Sequence, residues 1–131
     1  MSYLLDTDTC IDVLRGQEGA TQRLGQLARS QCAISSISVF ELYCGLAGAR
    51  QPEKERDKIH RLVAEISKIQ FDDTAAESAA TIRAYLQRRG AVIGPYDLLI
   101  AGHAIATSRI LVTKNVREFQ RVEGLRLESW A

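Results

Sequence analysis

The sequence is short of the residues on which several chemistries depend. Its 131 residues hold two histidines, three cysteines and two prolines, and only 6% are aromatic. No H-E-x-x-H, Cys-x-x-Cys, nucleophile elbow, P-loop or G-x-G-x-x-G occurs. The local signatures of zinc hydrolysis, dithiol redox work, acyl transfer and nucleotide cradling are therefore missing. His103 lies six residues past Asp97, roughly 240° round a helix, so the two do not share a face. His60 stands among charged residues. No apolar run reaches the roughly 20 residues of a membrane span. The longest, Leu98 to Ala106, is broken by Gly102 and His103. The N-terminus lacks a basic patch ahead of an apolar stretch, so no signal peptide is expected. Cys10, Cys32 and Cys44 are an odd count in apolar neighbourhoods and read as buried small residues in a reducing, cytoplasmic setting. Charge of one sign is also missing. The net charge is +1, so affinity for a polyanion must come from local placement.

What is present is ordinary in bulk and informative in order. Hydrophobic residues at 46% and charged residues at 25% suit a globular chain, and residues 1–131 are read as a single domain without repeats or linkers. Strands are expected at Tyr3–Leu5, Cys32–Ile34, Ile69–Phe71 (weak), Ile110–Thr113 and near Leu125–Leu127. Between them run helical patterns: Asp8 caps one that stops at Gly16, and another follows from about Ala20 to Arg29. Ser38 opens a third that ends in the Gly45–Gly48 region. Pro52 opens a fourth, Thr74 caps one closing at Gly90, and Leu98 to Ala106 forms a helix buried on most sides. Strands alternating with helices predict an α/β fold with a mainly parallel sheet, whose ligands gather beyond the carboxyl ends of the strands.

Acidic residues fall at those ends. Asp6 follows the first strand, where a helix cap or a catalytic carboxylate would equally sit, with Asp8 the expected cap. Glu41 completes Ser38-x-x-Glu41, a capping-box pattern, yet lies in the apolar run Val39–Cys44, where an ionised carboxylate needs a partner. Asp97 follows Gly94-Pro95-Tyr96 and opens the buried helix, as its cap or as a deeply held acid. No basic residue is an evident neighbour of these three. A hard divalent cation, Mg²⁺ or Mn²⁺, is the simpler partner for such oxygens. After the fourth strand, Asn115 or Glu118 is a candidate fourth ligand or water-orienting group, Asn115 being also a candidate cap. Thr113 offers a hydroxyl behind the ligands, and Asp8 and Ser38 are further candidate supports beside Asp6 and Glu41. Asp72 and Asp73 belong to a helix start with Thr74.

Taken together, Leu4-Leu5-Asp6-Thr7-Asp8, Ser38-x-x-Glu41-Leu42-x-x-Gly45 and Gly94-Pro95-Tyr96-Asp97-Leu98-Leu99-Ile100-Ala101-Gly102-His103-Ala104 resemble successive signatures of the PIN-domain ribonucleases. Leu111-Val112-Thr113-Lys114-Asn115-x-Arg117-Glu118-Phe119 and Gly124-Leu125-x-Leu127-Glu128-x-Trp130 are similar to the VapC-type toxins of that family. The resemblance covers nearly the whole chain in order. It implies a PIN-like three-layer sandwich around a five-stranded, mainly parallel sheet. Asp6, Glu41 and Asp97 would converge on Mg²⁺ or Mn²⁺ for hydrolysis of RNA by an activated water. It further implies a homodimer, a cognate antitoxin whose arm places a basic side chain in the acidic pocket, and a structured RNA substrate. The anticodon stem-loop of initiator tRNA is the leading candidate. The chain departs from the pattern in two places. Asn115 stands where the broader family often has a fourth acid, and Lys114 where related toxins commonly carry an uncharged residue. Lys114, Arg88 and Arg89 flank the site motifs and are candidate phosphate contacts. Two other readings remain open here: a phosphoacceptor signalling domain using Asp6, Asp8 and Asp72, and an aspartate-nucleophile phosphatase based on Asp6-x-Asp8. The first leaves Glu41 and Asp97 unexplained; the second lacks a later G-D-x-x-x-D motif.

Overall fold

A computed structural model describes residues 1–131. Its strands are β1 (Tyr3–Leu5), β2 (Cys32–Ser35), β3 (Ser67–Ile69), β4 (Ile110–Val112) and β5 (Leu127–Glu128). They form one sheet in the order β3-β2-β1-β4-β5, every neighbouring pair parallel. The expected mainly parallel sheet is entirely so. The helices are α1 (Thr7–Leu14), α2 (Glu18–Gln26), α3 (Ser36–Cys44), α4 (Pro52–Glu65), α5 (Asp73–Arg88), α6 (Pro95–Ala106) and the single turn α7 (Val116–Phe119).

The three central strands are buried on both faces, which is why they read as unbroken apolar runs. Alternate residues nonetheless separate cleanly. Tyr3, Leu5, Cys32, Ile34, Ile110 and Val112 face one core with Cys10, Leu42, Ile59 and Leu62 from α1, α3 and α4. Leu4, Ala33 and Leu111 face a second core with Ile82, Leu86, Ile100, Ala104 and Phe119 from α5, α6 and α7. In this second layer α5 and α6 cross closely. A methyl on Gly102 would stand 2.6 Å from the Ala79 backbone, so only glycine fits that crossing. His103 is buried beside it, its Nδ1 2.8 Å from the Ser35 hydroxyl, and burial holds its imidazole below the ordinary value. No helix is long and apolar enough to cross a membrane.

Several boundaries differ from the sequence expectations. The third strand runs Ser67–Ile69 rather than Ile69–Phe71, because Ile66 closes α4 and turns into the core. Asp72, not Thr74, caps α5 by accepting from the Ala75 N–H (3.0 Å). The helix of Asp97 begins at Pro95 with Gly94 as its cap, so Asp97 is not a cap. Cys10 and Cys32 are buried as expected, but Cys44, on the last turn of α3, is exposed.

Candidate active site

The site lies beyond the carboxyl ends of the central strands. The Asp6 N–H donates to Val112 O (3.0 Å), so Asp6 ends the β1–β4 pairing and begins the turn into α1. Its Oδ1 accepts from the Thr9 N–H at 2.8 Å. Asp6 is therefore itself the helix cap, and the expectation that Asp8 plays that part is corrected: Asp8 sits exposed in the first turn, where a carboxylate suits the helix dipole. Asp6 is buried, and burial raises its carboxyl above the ordinary range against the hydroxyls of Thr113 and Thr9, which favour its ionised form. Thr113 is thus where it was expected, behind an acid, and it also accepts from the Asn115 N–H (3.0 Å).

Glu41 is freed from its capping box. The chain turns into α3 directly after β2, so Ser35 is the cap, accepting from the Ile37 N–H (3.1 Å), and Ser38 is turned inward one turn later. Instead, the Thr7 hydroxyl donates to Glu41 Oε1 at 2.6 Å and stands 3.0 Å from Ser38 Oγ. Thr7 was not picked out from the sequence. Its signal was its place directly after Asp6 at a strand end.

Asp97 stands at the third position of α6, half-buried. Its carboxyl is pushed up to about 7, first by burial, then by the charge and hydrogen bond of Glu118, then by the charges of Asp6 and Glu41. Glu118, from α7, is fastened on both oxygens. The Gly94 N–H donates to Oε1 (3.1 Å) and the Asn115 amide to Oε2 (2.8 Å). Burial pushes Glu118 up, but these bonds to its ionised form prevail and the net shift is downward. The fourth position thus divides its work: Glu118 meets Asp97, and Asn115 holds Glu118 rather than capping α7 through its side chain. Gly94 was also missed from the sequence. Its N–H holds Glu118, and a Cβ there would stand 3.6 Å from Asp97 Oδ2 and 3.9 Å from Glu118 Oε1, at ordinary contact distance.

Two of the three proposed basic contacts are engaged elsewhere. Lys114 Nζ lies 3.2 Å from Asp12 on α1. The Arg89 guanidinium stacks 3.5 Å over the Tyr85 ring. Arg88 is exposed at the end of α5. Asp72 follows β3, two strands from β1 and hence roughly 10 Å across the sheet. With its Oδ1 capping α5 and Asp8 facing solvent, the phosphoacceptor grouping of Asp6, Asp8 and Asp72 is not assembled.

Four acids from four segments therefore act on one another without a neutralising cation of the chain. No three of the protein's histidine, cysteine or acidic side chains are closed into a ready metal cage. The donors nonetheless suit a hard ion that keeps several waters and takes only one or two carboxylates directly, as Mg²⁺ does. The shared proton at Asp97 marks where positive charge is wanted.

The model of the PIN domain matches residues 3–125. The chain is 37% identical over 131 residues to the tRNA(fMet)-specific endonuclease VapC of Shigella flexneri, covering 100% of this chain and 99% of that relative. It is 35% identical over 132 residues to ribonuclease VapC2 of Rickettsia felis, covering 99% and 98%. Among solved structures, DNA-bound VapBC from Salmonella typhimurium aligns with a TM-score of 0.94 at 36% identity, over 100% of this chain and 99% of that one.

Proposed function

The chain belongs to the PIN-domain family and is a nuclease, and on that premise we propose that it is the toxin of a toxin–antitoxin pair, an endoribonuclease that hydrolyses a structured RNA at the carboxylate cluster of Asp6, Glu41, Asp97 and Glu118. The observation that carries the site is the convergence on Asp97: burial first, and then Glu118, Asp6 and Glu41, raise its carboxyl to about 7, and no cation of the chain offsets these acids. The relative named for tRNA(fMet) supports initiator tRNA as the substrate, and the VapBC complexes support a cognate antitoxin as the partner. A basic side chain from that partner would neutralise the same four acids and close the site. Homodimerisation belongs to this reading as well.

A divalent ion bound there would supply Lewis-acid stabilisation of the phosphoryl group and an ionised water at neutral pH. The rest is done by the chain. Thr9 and Thr113 fix Asp6, Thr7 fixes Glu41, and Gly94 with Asn115 fixes Glu118, so the oxygens are held before substrate arrives. Asp97, facing Glu118, holds the site's proton, and a divalent ion bound there would favour its release. No side chain needs to attack phosphorus.

The test is Asp97→Asn with initiator tRNA as substrate and Mg²⁺ or Mn²⁺ present. The variant keeps its circular dichroism spectrum and loses cleavage. Undiminished cleavage by the variant, or full activity of the wild type in EDTA, sinks the proposal.

A further inference from the structure

Two of the large exposed apolar side chains stand together beside the acidic site. Phe40 is 50% exposed and Tyr96 45%, and their rings lie tilted at 54° with centroids 5.8 Å apart. Each directly precedes an acid of the site: Phe40 comes before Glu41 on α3, and Tyr96 before Asp97 on α6. The pair therefore bridges the two helices that carry those carboxylates. Neither ring belongs to the cores on the two faces of the sheet. The two rings present a small neutral aromatic surface to solvent next to those acids.

We propose that Phe40 and Tyr96 form a stacking platform for an unpaired nucleobase of the RNA, seating the strand so that the adjoining phosphodiester lies over the acids. This rests on the ribonuclease reading above. The electrostatics call for such a device. Four acids repel phosphate at short range, Lys114 is paired with Asp12, and Arg89 is stacked on Tyr85. A neutral aromatic face meets a base at no charge cost, and loop bases splayed out of a folded RNA are recognised in this way. Area argues for a base over a protein partner. An aromatic side chain buries about 150–250 Å² in full, so two half-exposed rings offer about 200 Å², against roughly 800 Å² a side for a stable protein interface.

The test compares wild type with Phe40→Leu and Tyr96→Leu, which keep apolar bulk but remove the π-face, and with Phe40→Trp and Tyr96→Phe, which keep it. The probe is an RNA stem-loop carrying 2-aminopurine in its loop, beside the same stem-loop with abasic loop positions. Steady-state cleavage is read with Mg²⁺, and fluorescence quenching with Ca²⁺ in its place to slow turnover. The leucine variants raise KM about five- to hundredfold, with a smaller change in kcat, and lose the quenching. The aromatic variants retain both, and the abasic stem-loop binds all five proteins alike. Unchanged KM and quenching in the leucine variants overturn the platform. So does loss of a dimer or of antitoxin binding in those variants with RNA binding intact, since the rings then serve a protein contact. Wild type that neither binds nor cleaves RNA removes the ribonuclease reading and the platform with it; cleavage by wild type with unaffected variants removes the platform alone.

Discussion

Glu128 and Asp97 are acids of the same chain placed in opposite surroundings. Glu128, on the edge strand β5, is met by donors: Arg23 Nε lies 3.2 Å from its Oε2, and the Trp130 indole N–H donates to the same oxygen. The Arg23 guanidinium also lies over the Tyr3 ring, which packs against Trp130. That group ties the last residues to α2 and β1, and the ion pair raises Arg23 above its ordinary value. Asp97 is met by Glu118, Asp6 and Glu41 and by no cation. A structural carboxylate is surrounded by what stabilises its charge. A carboxylate surrounded by its own kind is waiting for charge from outside.

The contrast can be broken most forcefully at Asp97. Loss of groups that merely orient ligands costs about 10–100-fold, so Asp97→Asn, which alters a proposed direct ligand, is expected to cost more than about 100-fold in kcat/KM, measured on RNA with Mg²⁺. Next comes Asn115→Ala, which removes the amide from Glu118 Oε2 and leaves the acid in place. A fall of about tenfold is expected, with the metal concentration for half-activity raised. A variant indistinguishable from wild type in both would remove Asn115 from the site.

The pH dependence sharpens the same contrast in stability. The Asp97 carboxyl rises from an ordinary 3.8 to about 7 in the folded protein. Between those values the folded state keeps a proton that the unfolded chain has lost, so stability falls as pH rises through the window. Asp6, also raised, acts in the same direction; Glu118, lowered, opposes near its ordinary 4.5, and buried His103, held below its ordinary 6.5, opposes within the window. The Tm of metal-free wild type is therefore expected to fall relative to that of Asp97→Asn from pH 5 to pH 8, and added Mg²⁺ restores Tm at pH 8. Wild type and variant with the same pH profile contradict the assignment. Smallest is Glu128→Gln, which weakens the tail's attachment. It lowers Tm by about 2–5 °C and leaves cleavage per folded molecule unchanged; a loss of activity there would join the two regions that the structure keeps apart.

Much of this was legible along the chain. Apolar runs bounded by helical periods gave the strand and helix order, while α6 starts at Pro95, ahead of the expected start at Asp97. The errors were local patterns overruled by neighbours. Ser38-x-x-Glu41 has the form of a capping box, but β2 ends at Ser35 and the helix begins there, leaving Ser38 buried and Glu41 free to bond Thr7. Asp8 has the form of a cap, but the β1–β4 pairing ends at Asp6, which takes the first free N–H. The ambiguity between Asn115 and Glu118 dissolves in three dimensions, since the two act on each other.

By itself the sequence determined the elements and the acids at their ends, because helix and strand periods and caps are set by residues a few positions apart. The two-sided burial of the central strands is consistent with those runs, which are apolar but for Ser35. Only the tertiary structure decided which acids meet. The order β3-β2-β1-β4-β5 places Asp6 between the segments carrying Glu41, Asp97 and Glu118 and leaves Asp72 two strands away. The proton held at Asp97 belongs to no residue's sequence context, for burial in the folded chain, and then the field of three acids from other segments, put it there.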